Sequence, residues 1–386
     1  MKILIAANGY PTPQDPQWGC FERDQAIALK KMGHEVSILA VDTRFRKYRR
    51  KHGINVFHAD GIPVYWGYWF PIRILPVKGK LRIRVICHQF DWVYKKLVKD
   101  LGTPDLIYAH FLRNIRYSMY LKEKYDIPLV GIEHWSVLMQ NQATPYARLA
   151  GKGAYPYVDK LLVVSKALGS SIKSKFGVDS EVVYDMLGPE FLDYTPAVRK
   201  DGEQKFRFIA VGSLLPRKGY DLLIQAFAAS GLQDKCSVRI IGEGPERQRL
   251  DQLIEECGLR ESVSLSGRME KGEIVCALRE SDAFVLSSRS ETFGVVCIEA
   301  LSQGLPCIAT ICGGPEEFLT EEDGVLIAPE DTNALTEAMR FIYENRAKYN
   351  PQAISERCLG RFAPRVIASQ LTRIFDDVVN NHKKAK

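Results

Sequence analysis

Short apolar runs rich in β-branched residues alternate with longer amphipathic stretches along the chain of 386 residues. The runs have the length of buried strands, and the stretches between them can form helices with one apolar face. This alternation is typical of parallel strands that are joined by crossover helices. Because the alternation occurs in two separate series, the pattern predicts an α/β protein with two doubly wound, Rossmann-like domains.

The predicted strands of the first series are residues 2–7, 35–42, 105–111, 128–134, 160–165 and 181–184. Those of the second series are residues 206–212, 237–242, 263–267, 283–287, 306–310 and 325–328. Between the two series lies a polar stretch, residues 188–204, which contains two prolines and has no periodicity.

This stretch divides the chain into a first domain at residues 1–188, a linker at 189–204 and a second domain at 205–364. A last amphipathic segment, residues 365–386, either closes the second domain or crosses back to the first. Ligands of open parallel sheets bind beyond the carboxyl ends of the strands. We therefore expect function to reside in the strand-to-helix loops, with a ligand enclosed in a cleft between the two domains.

The composition is that of a globular protein, with 46% hydrophobic and 26% charged residues. The nine cysteines are odd in number and form no Cys-x-x-Cys pair, which argues against a disulfide framework and against a zinc site. No run approaches the length needed to span a bilayer, and the chain start has no signal-peptide architecture. We therefore expect a cytoplasmic protein that binds no metal ion and no nucleic acid.

The net charge is +7, and the basic excess lies in residues 1–195, where 28 lysines and arginines stand against 18 acidic residues. It is densest at residues 44–51 and 78–84, near an aromatic run at residues 65–70. Basic residues beside aromatic ones can bind an anionic membrane surface or a phosphorylated acceptor. On this interpretation the protein is peripheral on the inner face of a membrane. The alternative is a solvated loop.

The loop after the first strand of the second domain combines glycines with two cations. It reads GSLLPRKG over residues 212–219, so Arg217 and Lys218 precede a predicted helix. A helix start already favours anions, and the two cations make this place suitable for a diphosphate. Arginine can bind two oxygens through its planar fork, whereas lysine supplies a movable point charge. The alternative is an ordinary basic turn.

Two glutamates eight residues apart flank a glycine in the loop after the fourth strand of the second domain. Gly294 is expected to open a helix whose first backbone N–H groups are free to hold a phosphate. Because carboxylates repel phosphates, Glu291 and Glu299 suit hydroxyl groups, those of a ribose and of a transferred sugar. Alternatively, Glu291 caps the helix and Glu299 pairs with a cation.

Two further glycine-rich loops follow strands of the second domain. The paired glycines Gly313 and Gly314 either allow close approach to a ligand or form a tight turn. Gly242 opens the sequence GEGP, which resembles a dinucleotide fingerprint, but Arg247 stands at the position of the third glycine. A nicotinamide site, and hence an oxidoreductase, is therefore disfavoured.

Together and in this order, the loops of the second domain resemble those of glycosyltransferase family 4, the retaining GT-B enzymes that use nucleotide sugars. The motifs are AVGSLLPRKGYDLLIQAF, IIGEGPE, SRSETFGVVCIEA, and SQGLPCIATICGGPEE followed by DGVLIAPED. In the first domain the resemblance rests on Gly19, on residues 33–36 and on residues 108–111. The resemblance implies the GT-B fold, in which two Rossmann-like domains enclose a cleft.

The resemblance also implies a role for each matching residue. Lys218 and Arg217 would neutralise the donor diphosphate. Glu299 would hold the ribose, and Glu291 would contact the transferred sugar. Gly19 would let a first-domain loop close over the donor. The remaining expected donor contacts are strand-end glycines, backbone amides at the helix start and two residues near the nucleobase, namely Gly212, Gly242, Phe293, Gly294, Val295, Arg268 and Met269.

Two histidines end predicted strands of the first domain. His110 matches the family histidine near the reacting sugar and, with Glu291 and Lys218, forms the expected catalytic set. His134 is expected to shape the acceptor pocket. The chain departs from the family pattern at Asp185, which begins the segment DMLG where Asn-Gly is common.

The implied reaction is the retaining transfer of a sugar from a UDP- or GDP-linked donor to a glycan, a lipid-linked saccharide or a small molecule, as in bacterial-type polysaccharide or glycoconjugate synthesis. Cations and helix amides would stabilise the charge that grows on the leaving diphosphate. Since the sequence contains no Asp-x-Asp motif, we expect no cofactor or metal ion besides the donor substrate. The alternatives are a nucleotide-sugar epimerase of the same fold and a non-catalytic protein that binds nucleotide sugars.

Overall fold

The structure is a computed structural model that describes residues 1–44, 50–69, 79–139, 144–195 and 205–386. It forms two compact units. Unit 1 comprises Met1–Asp185 and Pro364–Lys386, and unit 2 comprises Met186–Ala363. Each unit contains one sheet whose strands are mostly or entirely parallel. The prediction of two doubly wound α/β domains is confirmed.

The strands of unit 1 are β1 (Lys2–Ala7), β2 (Glu35–Asp42), β3 (Gly53–Ala59), β4 (Ile62–Tyr68), β5 (Leu106–His110), β6 (Leu129–Glu133), β7 (Lys160–Val163) and β8 (Glu181–Val182). They form one sheet in the order β3-β4-β2-β1-β5-β6-β7-β8, and only the β3–β4 pair is antiparallel. The helices of this unit are α1 (Cys20–Lys31), α2 (Gly79–Leu101), α3 (Phe111–Tyr125), α4 (Pro145–Lys152), α5 (Lys166–Phe176) and α12 (Pro364–Lys384).

The strand prediction omits the hairpin of β3 and β4. The turn of this hairpin is Asp60-Gly61, with φ angles of 52° and 66°, and Ala59 pairs with Ile62 across it. Two successive positive φ values belong to the tight turn that Asp-Gly favours between antiparallel strands. The Asp-Gly pair is therefore the sequence signal for this hairpin. Tyr65, the first residue of the aromatic run at residues 65–70, is buried within β4.

The C-terminal helix α12 packs in unit 1. The ring of Phe375 lies 4.9 Å from that of Tyr108 in β5, and the side-chain amide of Gln370 donates a 3.1 Å hydrogen bond to the carbonyl of Val182. Buried residues recur along this helix at helical spacing, which gives it one apolar face. The last segment of the chain therefore contributes to the core built from residues 1–185.

Unit 2 contains β9 (Phe206–Val211), β10 (Cys236–Ile241), β11 (Val263–Leu265), β12 (Ala283–Leu286), β13 (Cys307–Thr310) and β14 (Gly324–Ile327). All pairs in the order β11-β10-β9-β12-β13-β14 are parallel. Its helices are α6 (Tyr220–Ser230), α7 (Arg247–Glu256), α8 (Lys271–Arg279), α9 (Val295–Ser302), α10 (Thr332–Glu344) and α11 (Pro351–Phe362). Because β9 and β12 are neighbours, the loops that follow them lie side by side at the carboxyl edge of the sheet.

The chain passes from unit 1 to unit 2 between Asp185 and Met186. The expected linker, residues 189–204, therefore starts inside unit 2, where Pro189–Phe191 forms a short 3-10 turn. Residues 196–204 of that linker lie outside the described residues.

Phe375→Ala is expected to destabilise unit 1 by about 3–5 kcal/mol, because it removes a fully buried ring from the contact between α12 and the sheet. Hydrogen–deuterium exchange of β5 measures the effect, since the amides of this strand report on unit 1 alone. Val366→Ala is the matched control, because Val366 lies on the same helix but is 41% exposed. Equal exchange in the two variants would contradict the packing role of α12.

Candidate functional site

Two strand ends approach each other so closely in unit 2 that only glycine fits. Gly212 follows β9 and Gly242 follows β10, and a Cβ atom on Gly242 would lie 1.9 Å from the carbonyl oxygen of Gly212. A Cβ atom on Gly212 would lie 2.8 Å from the hydroxyl oxygen of Tyr220. The φ angles of the two glycines are 152° and 153°, which also favours glycine. This close packing brings the loop after β9 against the neighbouring strand end.

The loop after β9 meets the loop after β12 in a charge cluster. The Nζ atom of Lys218 lies 2.6 Å from Oε1 of Glu291, and the Oγ atom of Ser288 donates a 2.7 Å hydrogen bond to the same oxygen. Arg217 lies 3.8 Å from Oε2 of Glu291, and its side chain is 42% exposed. Two cations thus share one buried carboxylate.

The segment that follows β12 holds the basic turn, residues 216–218, in place. Gly219 has a φ of 63°, and a Cβ atom there would lie 2.0 Å from the carbonyl oxygen of Ser287. The Oγ atom of Ser287 donates to the carbonyl of Lys218 at 3.1 Å, and the N–H group of Arg289 donates to the carbonyl of Arg217 at 2.8 Å. The two loops are therefore joined through the backbone, and this fixes the position of Lys218.

Helix α9 begins where the loop after β12 ends. Gly294, with a φ of 93°, precedes Val295, the first residue of the helix. The first N–H groups of a helix have no partner within it and can bind an anion. Phe293 is 1% exposed and its ring lies 5.1 Å from that of Phe318, so only its backbone can serve a ligand. Glu299 is half-buried in the second turn of α9.

Arg268 and Met269 follow β11, which lies two positions from β9 in the sheet. Arg268 is exposed, and Met269 is half-buried. The sulfur of Met269 accepts a 3.9 Å hydrogen bond from the guanidinium of Arg239. Both residues therefore lie on the same edge of the sheet as the basic turn, and their role near a nucleobase stays a prediction.

In unit 1, Gly19 caps the N-terminus of α1 with a φ of 79°. A Cβ atom on this residue would lie 2.4 Å from the carbonyl oxygen of Gly9, so the loop after β1 folds back onto the helix start. Both the positive φ and the close approach require glycine. The closure of this loop over a donor stays a prediction.

The two histidines at strand ends of unit 1 stack on each other. His110 is the last residue of β5 and is fully buried, and His134 follows β6 and is 9% exposed. Their ring centroids lie 5.4 Å apart, with an interplanar angle of 5°. Phe21 also stacks on His134, at 6.2 Å and 15°. The catalytic role of His110 and the acceptor-binding role of His134 stay predictions, and the structure adds that both rings are buried in one cluster.

Three carboxylates that the sequence motifs do not single out as site residues lie around His134. Oδ1 of Asp185 lies 3.0 Å from Nδ1 of His134, as a charge pair without hydrogen-bond alignment. Glu133 is fully buried and accepts hydrogen bonds from three backbone N–H groups and from the hydroxyl group of Tyr155. Glu22, in the first turn of α1, accepts one from a backbone N–H group at 3.0 Å. For Asp185, the sequence signal was the departure from the Asn-Gly that is common in the family at this position.

These surroundings shift the pKa values of the two histidines in opposite directions. Burial, and then the neighbouring His134, hold the pKa of His110 well below its usual value. Burial by itself would lower the pKa of His134 as well, but the carboxylates of Asp185, Glu22 and Glu133 outweigh it and raise that pKa. His134 therefore takes up a proton at a higher pH than His110 does.

Asp185→Asn is expected to lower the pKa of His134, because it removes the nearest negative charge and keeps the size of the side chain. NMR titration of the protein with ¹⁵N-labelled histidine measures this pKa, and His134→Gln identifies the resonance. Asp179→Asn is the matched control, since Asp179 lies in the same unit but is exposed and pairs with Lys173. The same pKa of His134 in the wild type and in Asp185→Asn would contradict the charge pair.

Two family profiles match the chain, one in each unit. The family described as Glycosyltransferase Family 4 matches residues 23–185, and the family described as Glycosyl transferases group 1 matches residues 195–357. The second match includes the charge cluster of Lys218 and Glu291.

Similar proteins agree with these matches. The chain is 31% identical over 326 residues to the lipopolysaccharide core biosynthesis glycosyltransferase LpsD of Rhizobium meliloti (strain 1021), covering 82% of this chain and 84% of LpsD. Sucrose-phosphate synthase from Thermosynechococcus elongatus has a similar structure, with a TM-score of 0.77 at 19% identity and coverage of 99% of this chain and 100% of that one. The structure of Anabaena HepE in complex with UDP has a TM-score of 0.72 at 18% identity, covering 97% and 99% of the two chains. The expected GT-B fold is thereby confirmed, and the chain belongs to the family 4 glycosyltransferases, a family of transferase enzymes.

Proposed function

We propose that this protein transfers a sugar, with retention of anomeric configuration, from a nucleoside-diphosphate sugar to a glycan or lipid-linked saccharide in polysaccharide or glycoconjugate synthesis. The observation that carries the proposal is the 2.6 Å contact between Lys218 and Glu291, with Arg217 beside it. This contact joins a cation that suits a diphosphate to a carboxylate that suits a sugar hydroxyl. The family assignment supports the same class of reaction.

Breaking the bond between the anomeric carbon and the diphosphate moves negative charge onto the leaving group. Lys218 and Arg217 would stabilise this developing charge more than they stabilise the bound donor, and such a difference lowers the barrier. The N–H groups at the start of α9 would add further donors. Lys218 donates a hydrogen bond to Glu291. With a donor bound, Lys218 would donate this hydrogen bond to a phosphate oxygen instead. Glu291 would then be able to accept a hydrogen bond from a sugar hydroxyl.

The similar proteins suggest which substrates to test first. HepE was solved with UDP and with UDP-glucose, and LpsD is named for lipopolysaccharide core biosynthesis. They support a UDP-hexose as donor and a saccharide as acceptor. Because Lys218 and Arg217 supply positive charge to the diphosphate, we propose that the transfer needs neither a bound metal ion nor a cofactor.

Lys218→Met is expected to weaken UDP binding by about tenfold or more, because a charge-assisted hydrogen bond contributes about 1.5–3 kcal/mol. The transfer rate should fall by about 10²–10³-fold, as it does when one donor to a developing charge is removed. Isothermal titration with UDP and release of UDP from UDP-hexoses in the presence of saccharide acceptors measure the two effects. Lys235→Met is the matched control, since Lys235 is exposed in the same unit.

Two outcomes would contradict this proposal. One is a wild-type protein that binds none of UDP, GDP and ADP, and the other is a Lys218→Met variant with wild-type affinity and rate. Conversion of the donor sugar into an isomer, with no acceptor present, would instead identify a nucleotide-sugar epimerase.

The described arginines of the first basic cluster, residues 44–51, contact other residues of unit 1. Arg44 and Arg50 pair with the buried carboxylate of Asp42 at 3.0 and 2.7 Å, and each guanidinium lies over an aromatic ring. They therefore hold the end of β2 rather than face a partner. Residues 45–49 of this cluster lie outside the described residues.

Helix α2 presents a different basic and apolar surface. Leu81 and Trp92 are 58% and 52% exposed, and Arg84, His88 and Lys95 are exposed on the same helical face. Apolar side chains of such a face insert between lipids while its cations meet anionic head groups. We propose that unit 1 binds an anionic membrane surface through this face. None of the helices in the described ranges is both long and apolar enough to cross a bilayer.

Replacement of both Leu81 and Trp92 by serine is expected to weaken binding to phosphatidylglycerol-containing vesicles by about tenfold or more, because two inserting side chains are lost. Cosedimentation with the vesicles measures binding. Tyr157→Ser, at a position in unit 1 that is 60% exposed, is the matched control. Full binding by the double variant, or equal binding of the wild type to pure phosphatidylcholine vesicles, would contradict membrane contact through α2.

A further inference from the structure

Arg289, two residues before Glu291, makes four side-chain hydrogen bonds behind the basic turn. Its guanidinium donates two to the carboxylate of Asp221, at 2.9 and 3.0 Å. It donates one to Oε1 of Glu330 at 2.6 Å and one to the carbonyl of Pro216 at 2.6 Å. One side chain thus connects the basic turn, the first turn of α6 and the loop that precedes α10.

All three carbonyl oxygens of the basic turn are bound by residues 287–289. The carbonyl of Pro216 accepts from the guanidinium of Arg289, and that of Arg217 accepts from the N–H group of the same residue at 2.8 Å. The carbonyl of Lys218 accepts from a serine hydroxyl at 3.1 Å. A single 3-10 turn has few hydrogen bonds of its own. The conformation of this turn therefore depends on the segment after β12.

Stability alone does not account for the contact with Glu330. Glu330 is held at a φ of 62°, a conformation that residues other than glycine rarely adopt and that costs about 1–3 kcal/mol. Its side chain is 61% exposed, and an ion pair with so exposed a partner contributes little stability. Strain of this kind persists only where the surrounding structure enforces it, and it is frequent at binding and catalytic sites.

We propose that Arg289 is the positioning residue of this site, which holds the basic turn so that Lys218 lies between Glu291 and the donor diphosphate. The inference rests on the proposed function, since it assigns Lys218 to the diphosphate. Arg289 acts through the turn and not by contact with the donor. Only a planar fork reaches Asp221, Glu330 and the carbonyl of the turn at the same time, so lysine cannot replace it.

The first test needs no ligand. In Arg289→Met and in Arg289→Lys, hydrogen–deuterium exchange of residues 213–219 is expected to become faster, while exchange in the strands of unit 2 stays at the wild-type level and shows that the variants fold. Arg249→Met is the matched control, because Arg249 also approaches Asp221, at 3.7 Å, but is 63% exposed and does not contact the turn carbonyls in the described contacts. Wild-type exchange of this loop in Arg289→Met would overturn the inference.

The second test is a double-mutant cycle measured with UDP. Arg289→Met is expected to weaken UDP binding about tenfold in the wild-type background and less than about twofold in the Lys218→Met background, because its effect passes through Lys218. Arg289→Lys is expected to bind UDP as weakly as Arg289→Met does. Additive losses in the cycle, or wild-type affinity in Arg289→Lys, would overturn the positioning role.

The two tests separate this inference from the proposed function. A wild-type protein that binds none of UDP, GDP and ADP, while the basic turn exchanges faster in Arg289→Met, overturns the proposed function and supports the control of the turn by Arg289. A wild-type protein that binds UDP, with an unchanged turn in Arg289→Met, supports the proposed function and overturns the positioning role.

Discussion

The contact between Lys218 and Glu291 is the interaction on which the site of unit 2 depends. The two residues are 73 positions apart and meet because β9 and β12 are neighbours in a parallel sheet. Removing two charges from water costs several kcal/mol per ion, and their attraction offsets this cost only when the geometry is good. Such a pair is weak evidence for stability. Ser288 and the segment after β12 hold the pair in place, and we propose that its role is to bind the donor.

Unit 1 accommodates buried charge in another way. Glu133 accepts hydrogen bonds from backbone N–H groups and a tyrosine hydroxyl, which partly offset the rise in its pKa that burial causes. His134 lies among carboxylates that favour its protonated form. The charge of this cluster therefore changes when one imidazole titrates. In unit 2 the cations that meet Glu291 are a lysine and an arginine. The cluster of unit 1 thus contains histidine, whereas the charge cluster of Lys218 and Glu291 does not.

The regular strands were predictable because a parallel strand is buried on both faces and reads as a continuous apolar run. The strands of unit 2 begin within one residue of the predicted starts, for example β9 at Phe206 and β12 at Ala283. The β3–β4 hairpin was not predicted, because β3 at the sheet edge has mixed exposure. Strand β4 is an inner strand, but it contains Pro63 and Gly67, which are rare in strands. The membership of α12 in unit 1 was left open, since an amphipathic pattern shows that a helix buries one face but not against which sheet.

The sequence by itself determined the types of residue at the carboxyl ends of the strands, the glycines that permit close backbone approach, and hence the family. Those features are local, because turn conformation and strand pattern depend on neighbouring residues. Only the tertiary structure decided which of these side chains meet. In the structure, Asp185 contacts His134, which is 51 positions away in the chain, and Arg289 contacts the carbonyl of Pro216, which is 73 positions away. Hydrogen bonds and charge pairs act over a few ångströms, and the order of strands in a sheet decides which distant residues come within that range.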